Sequence, residues 1–254
     1  MNIVVAIKQV PDLVEELELN DSGTDLDREW LKFKVNEFDE HALEAALLLK
    51  DAQGAQVTVV ALDNGLDIDK ALYAAAAKGA DRVVKVTGDF EGYVSSHAAA
   101  KALAGVISGM SPDLVLTGVQ AVDDLDGQLA VLLAHELGMP HITVVTDIEV
   151  NGSSATVQKE YGGGMVGEFE VQLPVTLGIQ AAAETPRYVP VAKVRRAMKS
   201  TDIEEISGDA AGAGAGFEVT KMFKPETGQG AEMLSGSADD VAARIVEIIK
   251  SKGV

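Results

Sequence analysis

Short, wholly apolar runs alternate with longer stretches of helical periodicity along the chain up to about residue 145, and this rhythm constrains the fold more than any single motif. NIVVAIKQ, QVTVVAL, DRVVKVTG and DLVLTG are too short to be helices. Between them NEFDEHALEAALLLKDAQG, DIDKALYAAAAKGA and YVSSHAAAKALAGVISG repeat apolar residues at helical spacing. Strands that are apolar on both faces need cover on both, so the pattern predicts a doubly wound, mostly parallel α/β sheet. Gly54 and Gly79 stand where helix C-caps belong, and Asp39 with Asp67 or Asp69 where N-caps belong.

The rhythm changes after Ile142. Residues 156–160 and 165–173 flank the turn YGGG, and the second run alternates apolar with polar residues, which predicts a half-exposed antiparallel hairpin over residues 154–173. Pro174 then opens VTLGI, a further sheet strand. From residue 200 the composition shifts to TDIEEISGDAAGAGAG, read as a linker over 200–217 that ends a main domain of residues 1–199. Residues 218–254 form an arm with a helix whose Val241, Ile245, Ile248 and Ile249 share one stripe, capped by Ser237. That stripe is to be buried on its own domain or on another chain.

Composition removes several function classes. With 40 acidic against 21 basic residues and a net charge of -19, the surface repels nucleic acid and anionic membranes. No cysteine is present, so disulfides, thiolate metal sites and cysteine nucleophiles are excluded, and a cytoplasmic setting fits. No apolar segment is long enough to span a bilayer. The histidines show no metal-ligand spacing, Ser95 and Ser96 before His97 do not form a triad, and the glycines at 162–164 lack the lysine of a phosphate loop. The junction at residues 113–128, DLVLTGVQAVDDLDGQ, runs from an apolar strand through small residues into a helix start. Free backbone amides and the positive helix end make it a seat for an adenylate phosphate, or else an ordinary solvated loop.

Four segments, VAIKQVPD, NEFDEHALEAAL, GVQAVDDLDGQLAVLLAHELGMP and TPRYVPVAKVRRAMK, together with GADRV, resemble the beta subunit of the electron-transferring flavoproteins in order and spacing. The resemblance implies a Rossmann-like, adenine-nucleotide-binding sheet and a heterodimer with an alpha subunit. FAD, mainly in or shared with that alpha subunit, would carry electrons from a flavin-dependent dehydrogenase, such as an acyl-CoA dehydrogenase, to a downstream acceptor. The beta subunit would hold AMP or a second FAD. Carried onto this chain, the adenylate lining falls on Ala6, on Asn36, Glu37, Phe38 and Asp39, and on Asp63. It continues over Gln120, Ala121, Val122, Asp123, Asp124, Leu125, Asp126, Gly127, Gln128, Leu129 and Ala130. The family's dehydrogenase-recognition segment falls on Pro186, Arg187, Tyr188, Val191, Lys193, Arg195, Arg196 and Lys199, a cationic run in an acidic chain.

Departures from the family pattern are local. Ala130 stands where a glycine is usual, and Asp124, Leu125 and Asp126 replace Gly, Asp and Thr or Ser. Two added carboxylates oppose a bound anion by about a kcal/mol each when partly exposed. Asp123, Asp124 and Asp126 also read as helix-capping residues. A stand-alone adenine-nucleotide sensor of the same fold is the alternative function. An ATP-dependent ligase would want a phosphate loop that KQVPDLVE does not provide.

Overall fold

The computed structural model describes residues 1–29, 31–90, 94–124, 126–209, 219–225, 228 and 230–253. The first apolar run forms β1 (Asn2–Ala6), and a small antiparallel pair, β2 (Gln9–Pro11) with β3 (Phe33–Val35), follows it. Helix α1 (Glu37–Gln53) leads to β4 (Gln56–Leu62), α2 (Ile68–Lys78) to β5 (Arg82–Thr87), and α3 (Ser96–Ile107) to β6 (Leu114–Gly118). After β6 come α4 (Leu129–Leu137), β7 (His141–Asn151), β8 (Ser154–Glu160), β9 (Val166–Gln172) and β10 (Val175–Ile179). The chain continues through α5 (Val191–Ser200), β11 (Glu204–Ser207) and α6 (Ala238–Ser251).

One sheet carries the order β11-β5-β4-β1-β6-β10-β7-β8-β9. The pairs from β11 through β7 are parallel, and β7, β8 and β9 pair antiparallel. The predicted α/β sheet with an added hairpin is what forms. Alternation along β1 decides which side each residue covers: Ile3 and Val5 pack with α1 and α2, while Val4 and Ala6 pack with α3 and α4. Both faces are dry, which is why the central strands read as unbroken apolar runs. Ser95 caps α3 by accepting the Ala98 N–H at 3.3 Å, and Gly54 ends α1 in the left-handed region at φ 70°.

Three elements differ from the sequence reading. Asp39 is not a cap. Asn36 holds the N-cap position, and Asp39 lies inside the first turn of α1, buried against the sheet. The hairpin is one half of a three-stranded meander, because β7 also pairs with β8 and joins it to β10. Within the stretch read as linker, Glu204–Ser207 pair in parallel with β5 at the sheet edge; the Gly/Ala-rich residues 210–218 lie outside the described residues.

Between β10 and α5 the chain is pinned to α1. Arg187 donates from Nε to both Glu44 oxygens at 2.9 and 3.0 Å, from Nη2 to Asp51 at 2.9 Å, and from its backbone N–H to Glu44 at 2.8 Å. Glu44 is buried, with only 4% of its side chain exposed. Removing a partner from a buried ion pair strands a charge. Arg187→Ala is therefore expected to lower unfolding free energy by about 3 kcal/mol in urea denaturation. Adding Glu44→Gln to it should recover part of that loss. A cost no larger than that of a surface ion pair would show that Glu44 is hydrated without its partner.

Candidate functional site

Strands β1, β4 and β6 end on the same side of the sheet, and chain order reverses between β1 and β6. From β1 the chain builds outward through β4 and β5, then returns to place β6 and β10 on the other side. The loops after β1 and β6 therefore diverge and leave a crevice, the place where open α/β sheets bind ligands.

Asp39 spans that crevice. Its Oδ2 accepts the Lys8 N–H at 2.8 Å, just past β1, and its Oδ1 accepts the Gly118 N–H at 2.9 Å, at the end of β6. Burial pushes its carboxyl up to about 7, against the lowering effect of those two amides, of Asn36 and of the Lys8 ammonium. Asn36 adds a second tie, donating from Nδ2 to the Gln120 carbonyl at 2.8 Å. Gly118 has no alternative here: a Cβ would stand 2.7 Å from Phe38 Cβ and 2.9 Å from the Asp39 nitrogen.

Lys8 supplies the crevice's central cation. Its Nζ donates to Asp123 at 2.7 Å and to Asp124 at 3.3 Å. Burial pulls the ammonium's pKa down, but Asp123, Asp124 and Asp39 outweigh it and hold it above its ordinary value. Asp124 is pushed up, chiefly by burial, with Lys8 and the Ala121 amide opposing. Asp126 accepts the Gln128 N–H at 3.2 Å, and the Ser96 hydroxyl lies 3.1 Å from both of its oxygens.

A cavity of about 710 Å³ opens from this crevice. Ala6, Leu62, Leu103 and Leu129 form its inner wall. The excursion between β2 and β3 covers it with Leu17, Leu26 and Arg28, and the C-terminal arm adds Val219 and Met222. A small hollow beside it, at the β6–α4 junction, is lined by Asn36, Asp39, Gly118, Asp124 and Gly127 among others. Three buried oxygens, Gln9 Oε1, Asn64 Oδ1 and Asn36 Oδ1, accept no hydrogen bond from the described residues. Gln9 and Asn64 line the cavity, and Asn36 lines the hollow. Buried acceptors of this kind ordinarily have partners, and these three have almost no surface of their own through which a bound molecule could reach them. Apolar walls with a few convergent polar groups are the make-up of a small-molecule site.

Most residues expected to line an adenylate come together. Ala6, Val122 and Asp123 line the cavity; Asn36, Gln120, Ala121, Asp126, Gly127 and Gln128 line the hollow; Asp39, Asp124 and Leu129 line both. Glu37, Phe38, Asp63 and Ala130 line neither. Glu37 is exposed, and Asp63 turns back to accept the Gly65 N–H at 3.4 Å, leaving its neighbour Asn64 to face the cavity. Ala130 is buried against β10, where a Cβ on Gly178 would lie 3.2 Å from its methyl. Leu125 lies outside the described residues. Lys8, Gln9, Asn64 and Arg28 were not among the expected residues. Lys8 alone left a sequence signal, as the first charge after the first apolar run.

The expected docking segment splits in two. Pro186 is half-buried, and Arg187 is spent on Glu44 and Asp51. Tyr188, Val191, Lys193, Arg195, Arg196 and Lys199 stand exposed, the last five on α5, which is a helix and not a loop. Only Ala197 of α5 is buried.

Residues 25–211 match the family model of the electron transfer flavoprotein domain. Over 260 residues the chain is 33% identical to the electron transfer flavoprotein subunit beta of Methylophilus methylotrophus, with 98% of both chains covered. It is 35% identical to the subunit beta of Clostridium acetobutylicum, with 99% of both covered. The chain belongs to the electron transfer flavoprotein beta-subunit family. Subunit CarD of the caffeyl-CoA reductase-Etf complex of Acetobacterium woodii is similar as well, 31% identical over 263 residues and 100% of each chain. Membership gives the chain the role of an electron transfer flavoprotein subunit. Among the described residues no helix is long and apolar enough to cross a membrane.

Asp39 makes this site's geometry testable by pH. Its carboxyl is ordinary when unfolded, near 3.8, and raised to about 7 when folded. Between those values the native chain binds a proton that the unfolded chain does not, so this group's contribution to stability falls as pH rises across the window. In urea denaturation from pH 4.5 to 7.5, the wild-type chain is expected to lose stability relative to Asp39→Asn as pH rises. A stability difference between the two that stays flat over this range would show that Asp39 is already ionised at its base.

Proposed function

We propose that the chain pairs with an alpha subunit and, with it, passes electrons from a flavin-dependent dehydrogenase, of which an acyl-CoA dehydrogenase is an example, to a downstream acceptor. FAD is mainly in or shared with the alpha subunit. The cavity at the β1–β6 crevice holds AMP or a second FAD. The observation that carries this reading is the cavity itself: it lies at the switch point of a chain collinear with electron transfer flavoprotein beta subunits, and its walls are apolar with a few polar groups.

The residues present fit an adenine nucleotide. Leu62, Leu103 and Leu129 offer the apolar wall that an aromatic ring needs, and the start of α4 beside them offers backbone donors to a phosphate. Bound flavin supplies the electron-accepting chemistry. What this chain's residues do is bind and exclude water: Asp39 and Asn36 fix the two loops, and the excursion between β2 and β3 covers the cavity.

Two surfaces suit the two protein partners. Helix α6 buries none of its residues, and Ile245 and Ile249 are exposed on it, so its apolar stripe is uncovered by the described residues and fits the alpha subunit. On α5, Arg195, Arg196 and Lys199 stand beside exposed Val191 and Met198, a cationic rim around an apolar patch. Rim charges act mainly on association rate, and salt screens them within about 8 to 10 Å.

Purification of the full chain from cells is expected to yield a yellow complex with a second, somewhat larger chain; a colourless monomer that binds ATP would overturn the reading. Replacing Arg195 and Arg196 with Glu should slow electron transfer from the dehydrogenase, most of all at low ionic strength, with flavin spectrum and complex intact. A rate indifferent to both substitution and salt would leave α5 as a solvated face.

A further inference from the structure

The cover of the cavity is a ribbon with no core of its own. Between β2 and β3 the chain runs out and back on itself: Asp12 donates its N–H to the Lys32 carbonyl at 2.9 Å, Asp27 to Glu18 at 2.9 Å and Asn20 to Asp25 at 3.0 Å, and Leu19 bridges Leu26 antiparallel. The tip turns at Gly23, which lies in the left-handed region at φ 65° and donates its N–H to the Asn20 carbonyl at 3.0 Å. No described residue of this excursion is buried, and its Leu17, Leu26 and Leu31 line the cavity of about 710 Å³. Exposed backbone hydrogen bonds over few buried apolar contacts mark the part of a fold that opens first.

The C-terminal arm is fastened to this ribbon near its tip. Met222 donates its N–H to the Gly23 carbonyl at 2.7 Å. Two residues on, the Lys224 ammonium meets Glu18 at 2.8 Å and Glu16 at 3.8 Å. Val219 and Met222 are half-buried and line the cavity, while Thr220, Lys221, Phe223 and Lys224 are exposed. Residues 219–225 form neither strand nor helix, so among the described residues these ties and the two inward side chains are what seat the arm. The ribbon is thus held at its base by the pairing of β2 with β3 and at its tip by the arm.

We propose that the excursion between β2 and β3 is a flap over the cavity, hinged on β2 and β3, and that the C-terminal arm is its latch: a bound ligand leaves when Met222 and Lys224 let go of Gly23 and Glu18. The latch thereby sets the residence time of the adenine nucleotide, a step that rests on the reading of this cavity as a nucleotide site. Lid opening of this kind governs release rather than the contacts made by the bound molecule. Lys224 and Glu18 are both exposed, so salt weakens the latch and shortens the residence.

The test uses the protein as purified from cells, with any chain that accompanies it, loaded with radiolabelled AMP or FAD, whichever it retains. Unlabelled nucleotide is then added in excess and the label still bound is followed by rapid gel filtration, with amide hydrogen exchange of residues 18–27 measured in parallel. Lys224→Glu sets like charges together at the latch and is expected to speed both release and exchange about fivefold. Adding Glu18→Lys restores an opposite pair and is expected to bring both rates back to within about twofold of wild type. Release at the wild-type rate from Lys224→Glu overturns the latch, as does a faster release that the charge swap leaves unrestored. If neither nucleotide binds any of these proteins, the adenine reading falls by itself and exchange decides the latch: faster exchange that the swap reverses upholds it, and unchanged exchange overturns it.

Discussion

A buried carboxylate holds the binding end of this sheet together. Asp39 receives the Lys8 amide with one oxygen and the Gly118 amide with the other, and so ties the end of β1 to the end of β6. Gly118 permits the approach by having no side chain, and Asn36 repeats the tie by grasping the Gln120 carbonyl. The cavity, the position of Lys8 and the course of the β6–α4 loop all follow from this brace. Taking a carboxyl out of water is costly, and two backbone amides with a nearby ammonium offset part of that cost.

Charge is distributed with the same economy. On a chain of net charge -19, Lys8 is the cation that the crevice holds at its centre, and Asp123 and Asp124 neutralise it. On the far side of α1, Arg187 and Glu44 fasten the segment leading to α5, which leaves the cations of α5 free to face outward.

The layered fold was legible because both-face burial leaves apolar runs, and because helix ends use few residue types, as Gly54 and Ser237 show. The site was legible in part. Asp39 reads as a cap from its place at a helix start; only the sheet beneath α1 turns it inward, and tertiary contact is invisible to local spacing. Asp63 and Asn64 are adjacent and both polar, so which of them faces the cavity is decided by the turn after β4. Strand β11 carries little apolar surface and owes its form to pairing with β5, so its residues resemble a linker. The excursion between β2 and β3 has no regular period at all, yet it walls the cavity through Leu17, Leu26 and Arg28.

The central claim is that ligands enter at the crevice that Asp39 braces. Titrating the isotope-labelled full chain with adenosine and following its backbone amide resonances tests this directly. The shifts are expected to concentrate on Lys8, Gln9, Asn64, Gly118, Ala121 and Leu129, residues of the cavity and the adjoining hollow. Shifts confined to the β7–β9 meander or to α6, with these amides unmoved, would contradict it.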